Sequence, residues 1–186
     1  MSSPNNIHQK TKVKICGLSE KETLKTAVDA GAEYIGFVHY DRSPRHVSLE
    51  TAADLAIRYV PSTISSVLVV VDPDDVFLKE LANINYQFDY LQLHGHETPE
   101  RVSTIRDHYP KQKLIKAIAV ANHADIDYSH RYCPYVDMLL FDAKPDPNAT
   151  LPGGNGITYD WTLMQGFEAP VPWMLSGGLT PKNITQ

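Results

Sequence analysis

The chain alternates along almost its whole length between short apolar runs rich in β-branched residues and longer amphipathic segments. The apolar runs fall at 13–16, 34–38, 66–71, 90–93, 114–119, 138–141 and 171–175. Between them, 19–30, 48–59, 73–84, 98–108 and 121–131 read as helices, a short helix follows Asp160, and another opens at Thr180. Gly31 fits a helix stop, and Ser19 and Ser48 fit N-caps. Ser48 is followed at the third position by Thr51, so it lacks the acidic partner of a capping box. Strands that are nearly all apolar, in alternation with helices, predict an α/β fold with a parallel sheet covered by helices. Period alone does not separate an open sheet from a closed barrel. Seven strand–helix units in tandem, with no linker, favour the barrel, which needs eight strands. The expectation is a (βα)8 TIM barrel with the eighth βα unit missing from this chain. A tail over 1–11 precedes the incomplete barrel domain over 12–186.

The totals narrow the function classes. A length of 186 residues suits one domain with a sizeable core. Seventeen basic against twenty-two acidic residues leave a formal charge of −5, which argues against a nucleic-acid surface. No apolar run approaches the roughly 18 residues a membrane helix needs. The polar N-terminal segment lacks the apolar stretch of a signal peptide. Cys16 and Cys133 are too few for a disulfide framework and fit no zinc spacing. The expectations are a cytoplasmic protein with no nucleic-acid or membrane partner, no metal and no cofactor.

Barrel enzymes keep their chemistry at strand ends, and two reactive groups stand there. Cys16 closes the first strand beside Gly17, and Asp142 closes the sixth before a Pro- and Gly-rich stretch. A thiol and a carboxylate facing one pocket can divide base and acid work. The bland alternatives are an inert core thiol and a carboxylate that caps or pairs, with Lys144 as its obvious partner. Cys133, before Pro134, reads as structural. Gln92 and His94 end the fourth strand, two apart and so on one face. Arg45, in the loop after the second strand, suits a bidentate grip on a carboxylate. Ser176-Gly177-Gly178, leading into the expected helix near Pro181, suits an anion held by backbone amides and a helix N-terminus. The segment 146–156 reads as a long active-site loop whose Gly153-Gly154-Asn155-Gly156 closes over a ligand.

These residues carry a resemblance to phosphoribosylanthranilate isomerase, a tryptophan-biosynthesis enzyme on a (βα)8 barrel. The matching motifs are Lys14-Ile15-Cys16-Gly17, Gly36-Phe37-Val38 with Ser43-Pro44-Arg45, Leu91-Gln92-Leu93-His94-Gly95 and Leu140-Phe141-Asp142. Gly153-Gly154-Asn155-Gly156 with Tyr159-Asp160-Trp161, and Leu175-Ser176-Gly177-Gly178-Leu179, follow in the family's order. The resemblance implies an Amadori rearrangement of N-(5′-phosphoribosyl)anthranilate, with Asp142 as general acid and Cys16 as general base. It implies that Arg45 recognises the anthranilate carboxylate and that Gly177 and Gly178 hold the phosphate. Gln92 and His94, read from their strand position as facing the barrel mouth, are expected to bind substrate, with His94 equally suited to be a pocket wall that has no proton-transfer role. It also implies a monomer or homodimer whose only other partner is that small phosphorylated substrate. The family pattern continues with an eighth strand that this sequence does not contain. Two other readings stand beside it: a sibling phosphate-binding barrel enzyme, and a truncated non-catalytic barrel that serves as a binding or assembly partner.

Overall fold

The computed structural model describes residues 11–146, 149, 151, 153–154 and 156–184. The tail expected over 1–11 therefore falls, except for Thr11, outside the described residues. Seven strands form one parallel sheet in the order of the sequence: β1 (Lys14–Cys16), β2 (Tyr34–Val38), β3 (Ser65–Val70), β4 (Tyr90–Leu93), β5 (Lys113–Val120), β6 (Met138–Ala143) and β7 (Trp173–Leu175). The helices α1 (Lys21–Asp29), α2 (Leu49–Tyr59), α3 (Asp75–Asn83), α4 (Pro99–His108) and α5 (His123–Ser129) connect successive strands. Parallel neighbours joined in strict order by right-handed crossovers carry all their helices on one face of the sheet. The other face must then cover itself, which it does by curling.

Side-chain parity shows the result as two cores. Outward strand residues such as Ile35, Phe37, Leu68, Leu91, Leu114, Leu139 and Phe141 pack against the buried stripes of the helices. In α2 that stripe is Leu49, Ala52, Ala53 and Ala56, the spacing that places one helical face against a sheet. The inward residues Tyr34, Val38, Val67, Val69, Ile115, Ala117, Met138 and Leu140 form a second cluster with no helix residue in it. The sheet is a half-barrel whose concave side is filled by its own side chains.

The helix ends follow local chemistry, with three departures from expectation. Ser48 caps α2 by accepting the Thr51 amide at 3.1 Å, and Gly31 ends α1 with φ of 84°. The α1 N-cap is Glu20 rather than Ser19, and no side chain bonds the first turn there. The segment expected as one helix over 121–131 divides into α5 and a 3-10 turn, His130–Tyr132. Asn122 makes a full capping box with Asp125 and so delays the helix start. After Thr180 the chain makes a turn, and the described residues of that segment, 180–184, form no helix. Asn183 Oδ1 accepts the Thr180 amide at 2.7 Å there.

Candidate active site

The polar residues of the inward face gather at the C-terminal ends of the strands. Cys16 packs against the inner cluster that contains Leu140, and Asp142 lies two residues beyond Leu140 on the same face of β6. The Asp142 residue is only 7% exposed. Its Oδ1 accepts the Ala143 amide at 2.9 Å. Its Oδ2 lies 3.4 Å from His94 Nε2. Lys144, the partner expected from sequence, instead turns to Asp125 Oδ1 at 3.5 Å. The side chain facing Asp142 is therefore an imidazole and not an ammonium group.

Gln92 and His94 meet as their spacing predicts, with Gln92 Nε2 2.8 Å from His94 Nδ1. With the amide nitrogen donating to Nδ1, a neutral imidazole carries its proton on Nε2, facing Asp142. Gln92 Oε1 is buried without a partner among the described residues. Turning the amide over would set that oxygen against Nδ1, move the imidazole proton there, and leave Nε2 to accept from a protonated Asp142. Gln92 and His94 can thus accommodate both protonation states of the carboxyl group.

On the opposite rim, Arg45 Nη1 donates to the Cys16 carbonyl at 3.3 Å. The guanidinium lies so close over Gly17 that a Cβ there would be 2.6 Å from Arg45 Cδ and Nη1. The loop that presents Arg45 is folded back on β2. Val47 donates to the Val38 carbonyl at 2.9 Å, and the Tyr40 amide donates to His46 Nδ1 at 3.0 Å. Gly153 and Gly154 join the two rims. A side chain on Gly154 would overlap Arg45 Nη2, and one on Gly153 would overlap His94 Nε2. Asn155, part of the same expected loop, lies outside the described residues.

Gly177 and Gly178 complete the rim after β7. Both have left-handed φ, 89° and 65°, a conformation that glycine adopts without strain. Neither amide has an acceptor among the described residues. A Cβ on Gly177 would lie 3.2 Å from Asp142 Oδ1, so the glycine pair adjoins the acid. Among the described residues the segment after Thr180 is a turn, so the expected anion site would rest on loop amides and not on a helix N-terminus. A cleft of about 770 Å³ opens beside these groups, lined by His94, Asp142, Tyr40, Arg42, Asp72 and Lys144 among others.

Two features of the site were not read from the sequence. The Tyr159 hydroxyl is buried without a partner among the described residues, and burial and the Asp142 charge push its ionisation well above the ordinary tyrosine range. Its place in the Tyr159-Asp160-Trp161 motif was the available signal. Lys116 stands inside the apolar run of β5 and pairs with Glu97 at 2.8 Å beneath the β4 loop. A lysine interrupting such a run was the signal for it. Cys133 is buried, and burial pushes its thiol up, away from reactivity. Among the described residues, no group of three or more His, Cys, Asp or Glu could hold a metal ion.

Comparison with known proteins places the whole chain. The family model for N-(5′-phosphoribosyl)anthranilate (PRA) isomerase matches residues 13–186. The N-(5′-phosphoribosyl)anthranilate isomerase of Azorhizobium caulinodans is 50% identical over 94% of this chain and 75% of its own length. That of Paramagnetospirillum magneticum is 43% identical over 94% of this chain and 80% of its own. Among solved structures, phosphoribosyl anthranilate isomerase from Thermotoga maritima superposes with a TM-score of 0.76 at 29% identity, covering 94% of this chain and 80% of that one. A phosphoribosyl anthranilate isomerase in complex with reduced 1-(o-carboxyphenylamino)-1-deoxyribulose 5-phosphate superposes with a TM-score of 0.74 at 28% identity, covering 95% and 80%. Sequence and fold agree, and the chain belongs to the N-(5′-phosphoribosyl)anthranilate isomerase family.

Proposed function

We propose that the chain converts N-(5′-phosphoribosyl)anthranilate to 1-(2-carboxyphenylamino)-1-deoxyribulose 5-phosphate in tryptophan biosynthesis, with Asp142 as acid and Cys16 as base. Asp142 protonates the ribose ring oxygen, and the ring opens to a Schiff base. The Cys16 thiolate removes the proton from C2′, which gives an enolamine that relaxes to the ketone. One proton is given and one taken, so the reaction needs no oxidant or reductant. Arg45 grips the anthranilate carboxylate. Gln92 and His94 border the substrate and steady Asp142, and the Gly177 and Gly178 amides hold the phosphate.

The observation that carries this reading is the continuous rim of contacts. It runs from Cys16 through Arg45 and Gly154 to Gly153, then His94, Asp142 and Gly177. Acid and base must act on adjacent atoms of one sugar, and these groups share one strand-end mouth. The substrate reading also draws support from the relative solved with a reduced carboxyphenylamino-deoxyribulose phosphate.

We further read the half-barrel as seven units of a (βα)8 barrel, with the eighth belonging between β7 and β1. The strict strand order supports this, as does the chain's span of about 80% of several relatives. The domain is taken as 12–186, acting in the cytoplasm as a monomer or homodimer. Among the described residues, no helix is long and apolar enough to cross a membrane.

The test is conversion of N-(5′-phosphoribosyl)anthranilate by the purified chain and by Cys16→Ala and Asp142→Asn. Each variant should lose about 10²–10⁴-fold in kcat while KM changes little. Unchanged turnover in either variant removes that residue from the mechanism. A folded chain that binds substrate without converting it would favour the non-catalytic reading.

A further inference from the structure

β4 and β5 share a buried ion pair that the chemistry above does not use. Lys116 points away from the barrel interior because its neighbours Ile115 and Ala117 point inward. Its Nζ lies 2.8 Å from Glu97 Oε2, and the two side chains are 3% and 1% exposed. Taking two ions out of water costs about as much as their attraction returns, so the pair is poor evidence of a stability device. What the pair does secure is main chain. Lys116 Nζ donates to the carbonyls of Leu93 at 3.4 Å and Gly95 at 2.9 Å. Glu97 accepts the Gly95 amide with both oxygens at 3.1 Å and the Asp72 amide at 2.9 Å. The peptide groups on both sides of His94 therefore end on this one pair. Tyr132 closes the network by donating to the Glu97 carbonyl at 3.0 Å.

We propose that Lys116 and Glu97 are positioning residues, which hold the backbone around His94 so that its imidazole stays between Gln92 and Asp142. An apolar pair of equal volume would fill the same space. It would leave the Leu93 and Gly95 carbonyls and the Gly95 and Asp72 amides without these partners, and His94 without its anchor. The role presupposes the acid function of Asp142 given above.

Two readouts test it, one of which needs no turnover. In the resting chain, the ¹⁵N shifts of His94 report its tautomer. The parent should show one dominant form, and Glu97→Gln or Lys116→Met should show an averaged mixture. In steady-state kinetics, Glu97→Gln should lower kcat about 10–100-fold, the cost of misplacing a catalytic group by a fraction of an ångström. KM should move less than about three-fold, and the pH profile of kcat should shift. That loss should vanish in a His94→Asn background, because the two changes act on one unit. Glu97→Gln with a lower melting point but unchanged kcat, pH profile and His94 tautomer would overturn the proposal, as would additive losses with His94→Asn. If Glu97→Gln does not fold, Tyr132→Phe removes a single bond from the same network and carries the same readouts at about 2–5-fold in kcat. Failure of the isomerase reading is separate, because it appears as no conversion by the parent chain while the His94 tautomer still reports on the pair.

Discussion

Tyr159 combines a large apolar ring with a hydroxyl that finds no partner among the described residues. Burial and the nearby Asp142 charge both raise its ionisation, so the phenol stays a neutral donor beside the acid. A buried hydroxyl left unbonded costs roughly 1–3 kcal/mol relative to its solvated state. Tyr159→Phe keeps the ring and removes that cost. The variant should therefore be more stable by about 1 kcal/mol, a rise of roughly 2–4 °C in melting temperature for a domain of this size. A calorimetric scan decides it, since a lower melting temperature would mean that the hydroxyl has a partner in the folded protein. The same residue-level logic bears on Asp142. Sequence proximity nominated Lys144 as its partner, but Lys144 reaches across to Asp125 at the start of α5. Adjacent residues on a strand point to opposite faces, and residues two apart need not reach one another once the chain leaves the sheet.

At the scale of elements, α5 depends most on its cap. It has seven residues, and its two buried positions, Ile126 and Ser129, supply its inner face. So short a helix gains little from propagation. Asn122 Oδ1 accepts the amides of Ala124 at 2.9 Å and Asp125 at 3.3 Å. Asp125 Oδ2 returns to the amides of Ala121 at 2.8 Å and Asn122 at 3.2 Å. Asn122→Ala should cost about 1–2 kcal/mol, seen as a lower urea midpoint at unchanged slope. A midpoint equal to the parent's would mean that packing alone holds the helix. The strands were more legible than such ends. Tyr34–Val38 and Tyr90–Leu93 match their sequence ranges because a continuous apolar run has one comfortable place, between helices and barrel interior. Helix starts depend on which of several polar residues wins the first amides, and at α1 Glu20 stands where Ser19 was expected. That Cys16, Gln92, His94 and Asp142 stand at strand ends was legible from position alone. The Lys116–Glu97 pair was not, because nothing in a sequence tells a mid-run lysine which carboxylate will meet it.

Across the whole molecule, the tyrosines tie stability to alkaline pH. Burial raises the ionisation of Tyr86, Tyr90, Tyr132 and Tyr159, and that of Tyr132 reaches about 12. These residues sit in different parts of the fold: Tyr86 before β4, Tyr90 within it, Tyr132 beneath Glu97, and Tyr159 beside Asp142. A phenol whose folded pKa exceeds its unfolded value near 10 contributes stability that is complete below pH 10. That contribution is lost as pH rises through the folded value. For Tyr132, a shift of about two units corresponds to roughly 2–3 kcal/mol. The Tyr132 ring also lies 5.7 Å from Lys116 Nζ, so its ionisation would place a new negative charge inside the network around Glu97. The protein should hold its melting temperature up to about pH 10 and then lose it steeply toward pH 12. The part of the tyrosinate absorbance that comes from these four buried phenols should rise together with the loss of helical circular dichroism, whereas exposed rings such as Tyr128 need no opening of the fold. Tyr132→Phe should flatten the upper part of that fall. Tyrosinate forming fully while the helical signal persists would show that these rings are open to solvent in the native state, and the alkaline limit would then have to come from elsewhere in the fold.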